Sequence, residues 1–269
     1  TRPEVRVSQF ETPEWHAAVA AVVDADSGEG IAARLIDAIS QVVEHDGTCL
    51  LAFHRDARPE VLHHTLEREG ERHYVERYLA GPYLLDPLYE LALRGHKPTL
   101  CRFRDATPDR FRASEYYRQY CERTHLTDEM DFLVDVGEGS TLALVVGRRG
   151  KRFAKAELSR LGLIEPLVRA AMRRAWMHWR STNGRGTPDR AIHERLTECY
   201  DNFGDDVLTQ REREVSKLLL RGHSSKSVAR ELDIAPATVM VHKRNLFAKL
   251  GITSQYELFS SFIENLSRD

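Results

Sequence analysis

The chain has 269 residues, of which 42% are hydrophobic and 30% charged, with a formal net charge of −2. That length is too great for one small core and comfortable for two domains, and no apolar run approaches the roughly 18 residues that a membrane-spanning helix requires. A charge so close to neutral gives no global sign of a nucleic-acid partner, so local charge has to be read instead.

The first residues, Thr1 to Glu4, carry no apolar signal segment, and a cytoplasmic protein is expected. Residues 10–45 predict two helices: Trp15, Val19, Val22 and Val23 recur at helical spacing, then Ser27 to Gly30 break the pattern. Ile31, Leu35, Ala38, Ile39 and Val42 resume it. Residues 48–67 read as two short strands around a charged turn at 55–59. Residues 71–94 predict a helix interrupted at Gly81-Pro82. Residues 132–136, a turn from Gly137 to Ser140, and residues 141–149 form a β-hairpin. A helix is expected over 155–180, kinked near Pro166. Its Leu158, Leu161, Val168, Met172, Ala175 and Trp179 form either a dimer seam or the lid of their own domain.

Residues 181–189 are polar and rich in Gly and Pro, as a linker is. The expected organisation is therefore a mixed α and β domain over 1–180, a linker with a short helix over 181–204, and an all-helical domain over 205–269. Cys49, Cys101, Cys121 and Cys199 form no C-x-x-C pair. They are expected to be reduced and mostly buried, with no zinc site and no disulfide framework.

The C-terminal segment carries the sharpest signals. Thr209 and Glu212 have capping-box spacing, Ser224 or Ser225 can cap a second helix, and Pro236 fits the first turn of a third. In that third helix Val239, Leu246 and Leu250 fall on one stripe, with His242 beside it. The opposite stripe is Ala237, Met240, Val241, Arg244 and Ala248, edged by Lys243 and Lys249. Small and apolar groups beside an arginine suit a helix in a DNA major groove. Ser225 and Lys226, opening the preceding helix, lie where a phosphate would meet free N–H groups. From Lys217 to Lys249 there are seven basic residues against two acids, a local excess in a chain that is nearly neutral.

Helix, short turn, helix is the spacing of a helix-turn-helix. At Leu208-Thr209-Gln210-Arg211-Glu212, Gly222, residues 225–239, His242, Asn245 and 249–252 the chain also resembles the LuxR-type (LuxR/FixJ) DNA-binding domain. The resemblance covers about 60 residues. It implies that residues 236–250 are the recognition helix, that Met240, Val241 and Arg244 face bases, and that Thr238, Lys243 and Lys226 serve phosphates. Ala235 stands where that family has a capping serine, and Met240 where it often has a polar residue. The final helix, with Leu258, Phe259, Phe262, Ile263 and Leu266, either seats on its own domain or forms a two-fold contact between DNA-bound copies.

Residues 83–95 and 111–171 resemble the autoinducer-binding domain of LuxR-type regulators, through Asp86-Pro87, the hairpin and the order of elements. The resemblance implies an α+β fold, a GAF/PAS-like α/β/α sandwich with an antiparallel sheet, and an Asp at position 86 that accepts a ligand amide. Where that family has a Trp and a Tyr upstream, this chain has His73 and Arg77, flanked by Tyr74 and Tyr78. Downstream it has Cys101 and Phe103. The likeness is thus to a LuxR "solo" that keeps the fold and has changed its pocket or lost it, and a lactone is not implied. Aromatic residues between 74 and 120 can line a cavity or fill a core. The candidate ligand residues are Tyr74, Tyr78, Asp86, Phe103 and Tyr117; Asp86 can equally cap the helix opened by Pro87.

No catalytic motif, metal-ligand spacing or phosphate-cradling loop is present, so neither an enzyme nor a cofactor is expected. The reading is a sequence-specific DNA-binding regulator working as a homodimer on a two-fold symmetric duplex site, with a small-molecule effector. The alternative is a ligand-independent regulator whose first domain is a dimerisation scaffold.

Overall fold

The computed structural model describes residues 9–65, 75–95, 98–182 and 189–267. Its first two helices begin where hydroxyls sit ahead of the apolar periodicity. Thr12 accepts from the Trp15 N–H at 3.2 Å to open α1 (Pro13–Asp24), and Ser27 accepts from the Gly30 N–H to open α2 (Gly28–Val42). Gly28 has no side chain because the Trp179 ring covers it: a Cβ there would lie 2.7 Å from the indole.

Five strands follow: β1 (Gly47–His54), β2 (Glu60–His64), β3 (Leu100–Arg102), β4 (Asp128–Gly137) and β5 (Ser140–Arg148). They form one antiparallel sheet in the order β2-β1-β5-β4-β3. The predicted hairpin is β4–β5, turning through Gly137 and Gly139 at φ +81° and +72°. Its first strand starts at Asp128, four residues before the apolar run that announced it.

Alternation divides the sheet's two faces. Leu50, Ala52, Phe132, Leu144 and Val146 bury against α1, α2 and α5 (Lys155–Thr182). The long helix α5 runs through Pro166 without a break. The residue four positions back, whose carbonyl the proline ring crowds, is Gly162, where a Cβ would meet nothing within 4 Å. Leu161, Val168, Met172 and Ala175 are buried beneath it, so α5 is the lid of its own domain.

The other face carries short segments: a turn at Pro82–Leu85, α3 (Pro87–Leu93), α4 (Phe103–Ala106), and a π-turn at Tyr117–Cys121. Beyond residue 189 come α6 (Arg190–Asn202), α7 (Gln210–Leu220), α8 (Ser225–Glu231), α9 (Pro236–Leu250) and α10 (Gln255–Ser267). One apolar cluster runs from Leu51 and Phe53 on the sheet, through Tyr83 and Leu85, to Leu196, Tyr200, Leu246 and Phe262. The helix α6, expected inside a linker, is part of this cluster. Tyr83 Oη lies 2.7 Å from His193 Nδ1, and Arg190 pairs with Asp56 at 2.9 Å.

The apolar face of α10 is likewise used within the chain. Leu258, Phe259, Phe262 and Leu266 are buried, with Phe262 edge-on to Tyr200 and Phe203, which leaves half-buried Ile263 as the remainder of the predicted surplus. No helix among the described residues is long and apolar enough to cross a membrane. All four cysteines are free, and each is half-buried rather than enclosed.

Candidate DNA-reading face and effector cavity

The helical reader is assembled from local signals. Thr209 and Glu212 complete the capping box of α7, and Ser224 caps α8 by accepting from the Ser227 N–H at 3.1 Å. Asp233, at φ 51°, turns the chain into α9. Ala235 caps α9 with no side-chain bond, Pro236 supplies a first residue that needs no N–H partner, and Gly251 closes the helix at φ 68°.

Val239 and Leu246, both fully buried, anchor α9. Its opposite edge stands open: Met240 is 65% and Val241 45% exposed, and Thr238 and Arg244 are exposed beside them. Lys226 is exposed at the start of α8, and Ser225 is half-buried next to it. Lys243 is half-buried, with Nζ 5.3 Å from the Phe247 ring centroid. Burial, and then the nearby Arg110 charge, hold its ammonium below the usual lysine range. Lys249 is committed elsewhere, with Nζ 2.7 Å from Glu212 Oε2 at the start of α7. Burial opposes ionisation of Glu212, but Lys249 and the Thr209 bonds hold its carboxyl below the ordinary range. A DNA phosphate would have to compete with that pair.

The N-terminal region touches this reader directly. The Ser224 N–H and Oγ both donate to the Asp109 carboxylate, at 2.9 and 2.5 Å. Arg110 N–H donates to the Gly222 carbonyl at 3.1 Å, and Arg221 pairs with Glu90 at 3.3 Å. Gly222 sits at φ +92°, and a Cβ there would come within 2.9 Å of the Phe111 Cα, so only glycine admits this approach. None of these contacts has a local sequence signal, since Asp109 and Ser224 are 115 positions apart.

Between the sheet and the short segments lies a cavity of about 500 Å³, within the usual range for small-molecule sites. Of the predicted ligand residues, Tyr78, Asp86, Phe103 and Tyr117 line it, and Tyr74 lies outside the described residues, as does His73. Arg77 also lines the cavity, with its guanidinium 5.8 Å from the Tyr120 ring centroid. Asp86 does the capping work: it accepts from the Leu88 N–H at 2.8 Å and from Tyr78 Oη at 2.7 Å. Burial still pushes its carboxyl up to about 6, against those two bonds and the pull of the Tyr89 amide.

Two acids on β4 stand at the cavity besides the predicted ligand residues. Glu129 lines the cavity, and Asp131, on the same side of the strand, is 0% exposed. Burial, then the Asp86 charge, pushes Glu129 up to about 8. Burial, then Glu129 itself, raises Asp131 well above the carboxylate range. The signal was available in the sequence: Glu129 and Asp131 alternate with Met130 and Phe132, which is strand periodicity with acids on one face.

An open helix edge on a helix-turn-helix, docked against a cavity-bearing α+β region, defines a DNA-binding transcriptional regulator. The family described as bacterial regulatory proteins of the luxR family matches residues 206–262. A putative HTH-type transcriptional regulator from the exeN 3' region of Aeromonas salmonicida is 33% identical over 157 residues, covering 56% of this chain and 80% of that protein. The monoamine regulon transcriptional regulator of Klebsiella aerogenes is 25% identical over 245 residues, covering 90% and 94%. Among solved structures, the VqsR LBD domain from Pseudomonas aeruginosa aligns with a TM-score of 0.55 and 26% identity, covering 62% of this chain and 99% of that one. The chain belongs to the luxR family of bacterial transcriptional regulators. Its N-terminal region has the fold of that family's ligand-binding domains. The family is one of DNA-binding regulators rather than a class of enzymes.

Proposed function

We propose that this regulator reads a specific, two-fold symmetric duplex site as a homodimer, and that a small molecule in the N-terminal cavity controls the reading. Residues 1–180 are the sensor and dimerisation unit, 181–204 the linker, and 205–269 the reader. Arg244, Met240 and Val241 read base edges; Thr238, Ser225, Lys226, Lys243 and, once freed from Glu212, Lys249 hold the backbone.

One observation carries the link between cavity and reader. The segment from Phe103 to Arg112 supplies Phe103, Arg104, Thr107, Phe111 and Arg112 to the cavity wall, and the same segment clamps Gly222 and Ser224 through Arg110 and Asp109. An occupant that shifts this wall changes the clamp, and the two docking states differ in how freely the reader approaches DNA. The cavity also favours an effector over the scaffold reading, which calls for a filled core. The Klebsiella relative is named for a monoamine regulon, and this supports a metabolite effector here too.

Native mass spectrometry of the full chain purified from its own host tests this directly. An adduct whose removal changes affinity for a DNA site selected from a random pool supports the reading. A chain that carries no adduct and binds that site identically in the presence of host metabolite extract refutes it.

A further inference from the structure

We propose that the cavity receives a small organic monocation, an amine or ammonium with an apolar body, whose charged head meets the Glu129 carboxyl at the wall, with the enclosed Asp131 behind it on the same side of the strand. The inference rests on the effector reading above and names the chemistry of that effector.

The buried acids of this protein fall into two groups. Most have partners already. Asp86 accepts from Tyr78 and the Leu88 amide. Asp128 accepts from Arg102 Nε at 2.7 Å and the Phe153 amide at 2.8 Å. Glu157 holds Arg148 at 2.8 and 2.9 Å, and Glu212 holds Lys249. Glu129 and Asp131 are the exception. Among the described residues no ion pair reaches either; their carboxyl groups interact with each other, and neither oxygen of the fully enclosed Asp131 has a donor from an amide or a cation. The charged groups acting on Asp131 are Glu129, Asp86 and Asp128, all of them acids.

Burying two carboxyls side by side without a counter-charge is destabilising, and in the empty protein the cost is relieved only by holding protons on them. Hydrophobic residues would serve the strand better, as Met130 and Phe132 do on its other face. An arriving ammonium supplies the missing partner. The site is built for one: Asp131 shares its side of β4 with Glu129 and sits opposite Val145 and Cys101 in register, and both Glu129 and Val145 line the cavity.

The remaining wall sets the rest of the ligand. Leu51, Leu88, Phe103, Tyr117 and Val145 offer apolar and aromatic surface, which suits a hydrocarbon or aryl body and favours a cation over a ring face. Four exposed arginines, Arg77, Arg104, Arg112 and Arg123, also stand around the cavity. With the half-buried Arg149 they make the rest of the wall cationic, so positive charge is accommodated only beside Glu129 and Asp131, which admits one charge on the ligand and not several. A metal ion is disfavoured by geometry: among the described residues no three His, Cys, Asp or Glu side chains converge to hold one.

The test uses the full chain, titrated calorimetrically and by thermal shift with phenethylamine and octylamine. Each is set beside its alcohol and its carboxylate analogue, with spermidine as the polycation. We expect at least one of the two amines to bind, with its alcohol about tenfold weaker or more, the loss of a charge-assisted hydrogen bond, and with the carboxylates and spermidine inert. Asp131→Asn and Glu129→Gln should each weaken the amine about tenfold or more while raising the melting temperature of the empty protein, which shows that the variants fold. Equal binding of amine and alcohol, preference for a carboxylate, no binding of either amine, or full amine affinity in both variants would each overturn the cationic assignment. Those outcomes leave the effector reading standing if the native protein still carries a neutral or anionic adduct. Absence of any adduct or metabolite response removes that reading separately.

Discussion

Asp109→Ala should lower stability and raise DNA affinity together, a combination that a merely structural contact does not give. The carboxylate accepts two hydrogen bonds from Ser224, at 2.9 and 2.5 Å, at the start of the first helix of the helix-turn-helix. Hydrogen bonds to a charged group contribute about 1.5–3 kcal/mol each when shielded. Asp109 is exposed, and solvent screening reduces that to about 1 kcal/mol apiece. Losing both shifts the docked-to-undocked balance by about 2 kcal/mol, or roughly 30-fold. For a chain of this size that corresponds to a fall of about 4–8 °C in Tm.

While docked, Asp109 places negative charge where the reader would meet a phosphate, and it occupies the Ser224 N–H that would otherwise be free. Release should therefore tighten binding, by about 3-fold to 30-fold, in fluorescence anisotropy on a selected duplex. Asp109→Asn, which keeps an acceptor but loses the charge, should fall between. Asp105→Ala is the control, since Asp105 is an exposed acid on the same segment paired with Arg104 and not with the reader. A Tm loss with unchanged or weaker DNA binding would refute the clamp, as would an equal gain from Asp105→Ala.

Further expectations concern charge. Lys226→Ala should weaken binding to specific and random duplexes alike and reduce the slope of log affinity against log salt by about one; a loss confined to the specific site would count against a phosphate contact. Glu129 has an ordinary value of 4.5 and stands at about 8 in the fold, so folding takes up a proton between those limits. Stability of the empty protein should therefore fall as pH rises from about 4.5 to about 8, with Asp131 acting in the same direction. Denaturant melts of wild type and Glu129→Gln across that window should show a flatter profile for the variant, and parallel profiles would contradict the burial of an uncompensated acid.

What was legible in the sequence is what is encoded locally. The capping pairs at Thr209 and Ser224, the proline at 236, and the split of Val239 and Leu246 from Met240 and Arg244 all lie within a few residues of their partners. Helical periodicity therefore reported them faithfully. The hairpin turn was visible for the same reason. The start of β4 was hidden because Asp128 to Asp131 looks like a solvated loop when each residue is weighed for polarity alone. Glu129 lines a cavity and Asp131 shares its side of the strand, and only the period of two betrays them. The place of α10 could not be decided, because an apolar stripe fits an internal neighbour and a second copy equally well. Here Tyr200 and Phe203 of the same chain take it up. The clamp at Asp109 and the capture of Lys249 by Glu212 depend on which surfaces meet, and a one-dimensional pattern does not carry that.

The most direct measurement is selection of binding sites from a random duplex pool by the full chain and by Arg244→Ala. If α9 lies in the major groove with its Met240–Val241–Arg244 edge on the bases, wild type should yield two half-sites about one helical turn apart. The variant should lose its preference at one position in each half, at a cost of about 1–3 kcal/mol on the best sequence. An identical motif from both proteins, with affinity lowered equally on every sequence, would show that Arg244 only holds the backbone and that bases are read elsewhere.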